Sequence, residues 1–574
     1  MTVRWVALCA AATLAVAACA GIPTDSGLQY GEQDVGSTEP LFPLAEGPRA
    51  GDGPTLMVRR FLDAAAAGVA SDFSVAREYL TPQASADWDP NARVVVYQTG
   101  SLTPDLDEDG GVVRYQVPVE AILDDSGRMV EGAAEQREPY EVSIVQDAQG
   151  EWRVDGLEDG VLISSNYLQS YFRPVELVFA SQDLSMVVPE LRWLPTNNVA
   201  TLAARELVQG PSPWLADAVV TGFPPPASLE VEAVVVDNGV ASVTLTPESA
   251  GGPQERALAQ EQLRLTLTAL PNVSEVDVSV GSLPLGGDSS TTLERAPVPD
   301  AAAAVIVDER LGLWDGEEVL VVPAEQGVLP AAAAGLALSF GDRRAAMVVG
   351  GDQLVTTDAL AAEDDLESYD ADAALPEALM ELTVAYEGDL LVAPTFDRHE
   401  WLWTASTDNP EVLVAVSPEG DPVELQTREM SGRTLQAMSV SRDGARIALL
   451  SRAGGQQIVE VASVVRSPDG SPLSVSQAVP VGADIGPAAE VIWVDETTVA
   501  VLGANGEEES PPVWLVSVGG ATTELETVVG VNSMTARYGE QSLTVISSAG
   551  DVRERSGSGW SAIVSGVREM AYSG

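Results

Sequence analysis

Hydrophobic and polar positions change rhythm several times along the chain. Behind Arg4, small apolar residues run almost unbroken from Trp5 to Ala18. That run is shorter than the ~20 residues a helix needs to cross hydrocarbon, and it has the length of a signal-peptide core. The rhythm then disappears into a polar stretch punctuated by Gly27, Gly31, Gly36, Pro40, Pro43 and Pro48, which predicts a flexible spacer. After Pro54, helical spacing sets in at Leu56, Val58, Phe61 and Leu62, followed by Val75–Leu80 and the Ala84–Trp88 turn. Strands are predicted at 93–97, 112–123, 140–146 and 151–157, the last two joined across Asp147-Ala148-Gln149-Gly150. Helices followed by an antiparallel meander predict an α+β layer.

The next stretch mixes both periods. Val175–Phe179 and Leu191–Trp193 predict strands, and Asn198 is expected to cap a helix that stops at Gly210-Pro211. Alternating strands over 229–236 and 240–245 flank Asp237-Asn238-Gly239, a strong hairpin signal. A helix from Gln254 to Leu270, with Ala259, Leu263, Leu267 and Leu270 on one face, precedes a last strand over 273–280. Beyond a Gly/Ser/Thr/Pro linker, helical spacing is lost. A turn recurs at Phe340-Gly341-Asp342-Arg343, Phe396-Asp397-Arg398, Val440-Ser441-Arg442-Asp443-Gly444, Trp493-Val494-Asp495 and Tyr538-Gly539. Successive anchors lie 44 to 56 residues apart. Such a period with short strands predicts a β-propeller of about five or six blades, with 305–322 helping to close the ring.

Composition adds little to the fold and more to the partners. Apolar residues make up 45% of the 574, enough for packed cores in several domains. The net charge is −56, from 86 acids against 30 bases, and every base is arginine. A surface this negative is repelled by phosphate backbones, so no nucleic-acid partner is expected. Of the two cysteines, Cys9 lies inside the apolar run and Cys19 directly follows Val16-Ala17-Ala18. Small residues ahead of a cysteine suit a lipoprotein peptidase, and the thiol accepts diacylglycerol. Once the leader leaves, Cys19 is the first residue and no disulfide can form within the chain. Cys19 is therefore the expected lipidation site. Two acyl chains anchor a protein far better than one myristoyl chain does. The expected location is the extracytoplasmic face of the cell membrane.

Candidate chemistry is sparse. The only histidine, His399, sits in a predicted propeller turn, and no G-x-S-x-G elbow supplies a nucleophile. Zinc sites of His and Cys need more ligands than exist here, and without lysine there is no phosphate loop of the G-x-x-x-x-G-K type. Asp105-Leu106-Asp107-Glu108-Asp109-Gly110 opens like a calcium loop, but Gln116 stands where such a loop needs glutamate. A solvated hairpin turn is the better reading. The runs Glu363-Asp364-Asp365 and Glu507-Glu508-Glu509 read as solvated loops. Trp401 and Trp403 alternate along one strand, so both face one side, which suits packing between blades. No catalytic residue, cofactor or metal is expected. The rival readings are a cell-wall glycan hydrolase using two propeller acids, or passive glycan binding.

Three resemblances organise these elements. The first α+β layer resembles the nuclear-transport-factor-like cone in its pattern of elements. The segments ARELVQGPSP, TGFPPPASL, DNGVASVTL and LRLTLTALPNVSEVDVSV resemble, in order and spacing, the GerMN domain. With the lipobox, GIPTDSG after Cys19, and a propeller ending in GVREMAYSG, the whole chain is similar to the LpqB family of lipoproteins from high-GC Gram-positive bacteria. The resemblance implies an accessory role beside the MtrA–MtrB two-component system, with contact to the outer region of the sensor kinase MtrB. It also implies effects on cell-wall homeostasis and division. The expected parts are a signal peptide (1–18), a tether (19–53), an α+β domain (54–172), a GerMN domain (173–285), a linker (286–300) and a propeller (301–574).

Overall fold

The computed structural model describes residues 45–574 apart from 101, 108–109, 134, 286–290, 296, 342, 363–364, 484 and 505–509. The signal peptide, Cys19 and most of the expected tether lie outside the described residues. The described end of that tether is fastened down: Tyr79 Oη donates to Glu46 O at 2.7 Å, and Gly51 N donates to Glu151 Oε2 at 2.9 Å. The spacer therefore stops short of residue 53.

Helix α1 (Pro54–Gly68) starts on a proline at its first turn, where the missing N–H costs nothing. It buries Met57, Val58, Phe61 and Leu62, and Phe61 meets Trp88 edge-on at 5.6 Å between ring centres. A curved seven-stranded sheet forms a half-barrel around it. The order along its main path is 152–156, 137–146, 112–124, 93–97 and 161–164. The last pair is parallel, so the sheet is not the expected simple meander. Val161–Ser164 is four residues long and almost wholly buried, too short to show the alternation by which strands are read.

The second domain opens on a long hairpin, Phe172–Ser181 with Val187–Pro195. The predicted three-residue strand Leu191–Trp193 is thus the end of a nine-residue one. Helices α2 (Val199–Gln209) and α3 (Pro253–Thr268) both pack on a common core with Leu177, Phe179 and Leu245. Asn198 sits at the N-cap, but its side chain makes no capping bond; a 3-10 turn, Thr196–Asn198, leads into the helix instead. The strand expected from Leu229 begins only at Val235. Ahead of it, the amide of Val234 turns away to the hydroxyl of Thr201, 3.0 Å off, and so leaves the ladder. Asn238 and Gly239 take positive φ (50° and 86°), as their hairpin turn requires.

From Ala303 on, the described chain forms six antiparallel sheets in succession. The first combines Ala303–Val307, Arg310–Trp314 and Val319–Val321 with the C-terminal strand Glu569–Ala571, so the two ends of the propeller region share one sheet. Its outer strand, Glu367–Ser368, is lent by a segment that lies between strands of the second sheet. Each sheet is buried on both faces. Along Arg446–Ala453, Ile447 and Leu449 pack toward the third sheet, while Ala448 and Leu450 pack toward the fifth. An apolar cluster fills every gap between neighbours, including that between the sixth and the first. The five recurring turns all join the first and second strands of sheets two to six. In the first sheet Glu569–Ala571 pairs with Ala303–Val307 from the far end of the region, so no short turn joins those two strands.

Candidate functional site

Aspartates shape three of the five recurring turns. Asp397, Asp443 and Asp495 each accept the amide two residues ahead, from His399 (2.8 Å), Ala445 (2.8 Å) and Thr497 (2.9 Å), as Asx turns do. Asp397 carries more. It also accepts from Trp401 N at 3.1 Å, Trp403 Nε1 at 2.7 Å and Arg466 Nη2 at 2.5 Å. Trp401 and Trp403 both belong to the core between the third and fourth sheets, so the pair packs between blades as its spacing predicts.

His399 faces a small recess shared with Ser181, Asp183, Arg398 and Arg466. Burial, reinforced by the charges of Arg398 and Arg466, pulls its pKa down to about 4. The serines of the recess are engaged elsewhere: Ser181 Oγ donates to Asp183 Oδ1 at 2.6 Å, and Ser467 Oγ donates to Asp469. The imidazole is a neutral packing group beside an ion pair that joins two domains, Arg398 Nη2 to Asp183 Oδ2 at 2.8 Å. Burial alone would raise the carboxyl of Asp183. Hydrogen bonds from Ser181, Arg398 and Ser185 overcome that and hold it well below the usual range.

The described ends of the acidic loop pair as a hairpin, Asp105 with Arg114 and Leu106 with Val113. Asp107 Oδ1 accepts from Gly111 N (2.7 Å) and Val112 N (3.1 Å), and those backbone bonds lower its pKa. Glu108 and Asp109 lie outside the described residues, as do Glu363, Asp364 and 507–509. Among the described residues, no three His, Cys, Asp or Glu side chains gather as a metal site, and no helix is long and apolar enough to cross a membrane.

Two carboxylates that the sequence does not single out face the central channel of the ring, a cavity of about 370 Å³. Glu490 accepts Met534 N at 2.9 Å, and Glu569 accepts Leu336 N at 2.8 Å. Each reaches from the innermost strand of its own sheet to that of the next. Burial, aided by the nearby Glu569, raises Glu490 to about 8. Among 86 acids nothing in the sequence marks these two.

The seam between domains is the most elaborated polar feature. Trp193 donates its amide to Gly127 O of the half-barrel at 2.7 Å and its indole N–H to Gly519 O of the ring at 3.0 Å. Glu131 of the half-barrel accepts from Thr522 N (2.6 Å), Thr522 Oγ1 (2.5 Å) and Ala483 N (3.3 Å). Arg192, 1% exposed, pairs with Glu190 at 2.9 Å and reaches Ser126 O at 3.2 Å. Ser463 Oγ donates to Trp214 O at 2.8 Å, and Trp214 packs against the cores of both the second domain and the ring. These contacts join three domains into one body.

Comparison with known proteins agrees with the order of these parts. Residues 47–169 match the family model "Lipoprotein LpqB, N-terminal domain", 171–286 match "Sporulation and spore germination", and 309–571 match "Lipoprotein LpqB beta-propeller domain". Lipoprotein LpqB of Thermobifida fusca is 25% identical over 95% of this chain and 96% of its own length. The protein of the same name from Bifidobacterium longum is 30% identical over 40% of this chain and 42% of its own. Among solved structures, the tandem GerMN domains of the sporulation protein GerM from Bacillus subtilis align over 25% of this chain and 58% of theirs, at 15% identity and a TM-score of 0.18.

Proposed function

The chain belongs to the LpqB family of lipoproteins, and from that premise we propose that it is a membrane-tethered accessory protein, binding and regulatory rather than catalytic. Cys19 carries the diacylglyceryl anchor after removal of residues 1–18, and the rest works on the extracytoplasmic face. Its partner is the outer region of a sensor histidine kinase of the MtrB type, through which it acts on the MtrA–MtrB system, cell-wall homeostasis and division. We read the first domain (54–172) as a nuclear-transport-factor-like cone, the second (173–285) as a GerMN domain, 286–300 as the connection, and 301–574 as a propeller whose six sheets are six blades.

The observation that carries this reading is the seam. Trp193 and Glu131 bind three modules into one unit. A rigid unit confined to one membrane meets a membrane-borne partner at raised effective concentration without any further contact. The glycan-hydrolase alternative is disfavoured in the central channel, where Glu490 and Glu569 are each engaged by a backbone amide of the next sheet. Crosslinking in intact cells, with mass-spectrometric identification of what is bound, tests the proposal. Recovery of the kinase is expected. Recovery of cell-wall polymer without it overturns the assignment.

A further inference from the structure

The outer strand of a propeller blade is an open edge, and open edges are normally guarded by charge or proline. Five of the six sheets here follow that rule. Their outermost strands carry Glu367, Glu387, Pro422 with Glu424, Pro472 with Pro480, and Glu524. The sixth does not. Its outer strand, Gly559–Val564, reads Gly-Trp-Ser-Ala-Ile-Val, and among the described sheets of the ring it alone has an outer strand free of both proline and charge. No charged residue stands anywhere from Ser556 to Val567.

This edge is both fixed and open. Trp560 packs toward the fifth sheet and donates its indole N–H to Glu526 O at 2.8 Å, while Ile563 and Val564 pack toward the first. Ser561 and Ala562, between them, are exposed. Strand Val552–Ser556 pairs along one side. No described strand lies along the other, so alternate N–H and C=O groups face outward. Local charge sets the region apart as well. Residues 527–574 hold four arginines and four acids, whereas the remainder holds 26 arginines and 82 acids. Two copies of a chain carrying −56 repel one another over most of their surface, and least here.

We propose that two copies of this chain pair through this edge, their Gly559–Val564 strands running antiparallel about a two-fold axis near Ser561–Ala562. A charged partner strand would find no counter-charge on it. A second copy fits because it brings the same neutral, apolar, unpaired edge. The axis sets Trp560 of one copy against the Ile563–Val564 end of the other, a cross-strand match of aromatic and β-branched side chains. Each copy offers one such edge, so pairing closes at two and builds no filament. This inference does not depend on the kinase partnership.

The test is sedimentation equilibrium of the full chain in non-ionic detergent, with micelles in excess of protein. A monomer–dimer equilibrium is expected that tightens as salt is raised, because salt screens the repulsion between copies. Ala562→Glu and Ala562→Arg, at an exposed position, should each weaken the dimer about tenfold or more, since like charges then meet across the axis. Far-UV circular dichroism checks that both variants fold. Val231→Glu, on an exposed valine of the second domain, should leave the dimer unchanged. In intact cells, Ala562→Cys should form a disulfide-linked pair under mild oxidation, and Val231→Cys should not. A monomer at every loading overturns the proposal. So does weakening by one sign of charge with tightening by the other, which marks a charge-paired contact. A dimer that ignores both charge variants overturns the edge. An Ala562→Cys crosslink to another protein alone overturns the choice of a second copy.

Discussion

Glu490 offers the sharpest quantitative test of the ring. Its carboxyl is raised from 4.5 to about 8, chiefly by burial in the channel wall. The folded protein therefore keeps a proton that the unfolded chain releases. The contribution of this group to stability is greatest below about pH 4.5, falls as pH rises, and levels off above about 8. At ~1.4 kcal/mol per unit, burying this carboxyl costs folding about 1 kcal/mol at pH 5, about 3 at pH 7 and about 5 at pH 9. Glu490→Gln removes the ionisation and keeps an oxygen for the amide of Met534. The variant should thus be more stable than the parent by about 3 kcal/mol at pH 7, which for a domain of this size is roughly 5 °C in melting temperature. Calorimetry at pH 5, 7 and 9 on both proteins reads this directly, and the gap should widen with pH. A variant that is less stable at pH 7, or a gap that does not change with pH, refutes the reasoning. It would mean that Glu490 is ionised and paired.

Other outcomes follow from the same geometry. Asp397→Ala leaves Arg466 buried without its partner and frees the indole N–H of Trp403, and should cost about 3–5 kcal/mol in chemical denaturation; a loss under 1 kcal/mol would remove Asp397 from the core of the argument. His399 should stay neutral down to about pH 4, so the one imidazole signal in a proton spectrum should not titrate between pH 5 and 7. Asp183→Asn should weaken the contact between second domain and ring by about 1.5–3 kcal/mol, seen as faster hydrogen exchange around 181–186. In the parent, that contact should hold above the ordinary aspartate range and loosen only as pH drops below it, since the folded carboxyl is the stronger acid. Cys19→Ser should move the protein from the membrane fraction to the medium; retention in the membrane would count against the anchor.

What the sequence revealed depended on whether a residue's role was local. The Asn238-Gly239 hairpin, the helix ending at Gly210 and the five recurring turns are all decided by neighbours in the chain, and each stands where its motif predicts. In three of those turns an aspartate recurs because an Asx turn needs its acceptor two residues before the amide it binds. The same Asp397 holding Arg466, 69 residues away, was not visible, since nothing local distinguishes a buried aspartate from the many solvated ones. The parallel strand Val161–Ser164 escaped because its partner precedes it by almost 70 residues and its four residues carry no alternation. The seam was the least legible part. Trp193, Glu131 and Arg192 resemble ordinary strand residues until the third domain lies beside them. Charge count hindered as well: with 86 acids, neither Glu490 nor Glu569 could be picked out.

The seam also bears on why so much buried charge is kept. A buried ion pair such as Arg192–Glu190 or Arg466–Asp397 gains little over well-packed hydrocarbon, because desolvation offsets most of the attraction. Stability therefore does not account for it. Directionality does: Arg192 reaches Ser126 of the half-barrel while paired with Glu190, and Arg446 reaches Pro189 of the second domain at 3.4 Å while paired with Asp443. Each arginine is held by an acid of its own domain and spends a remaining N–H on a backbone carbonyl of the neighbour. A slide of one domain against another would leave those guanidinium groups unsatisfied in a dry interface, whereas apolar contacts such as Ala445 against the second domain's core tolerate small slides. Apolar surface holds the domains together, and the arginines fix the angle at which they meet.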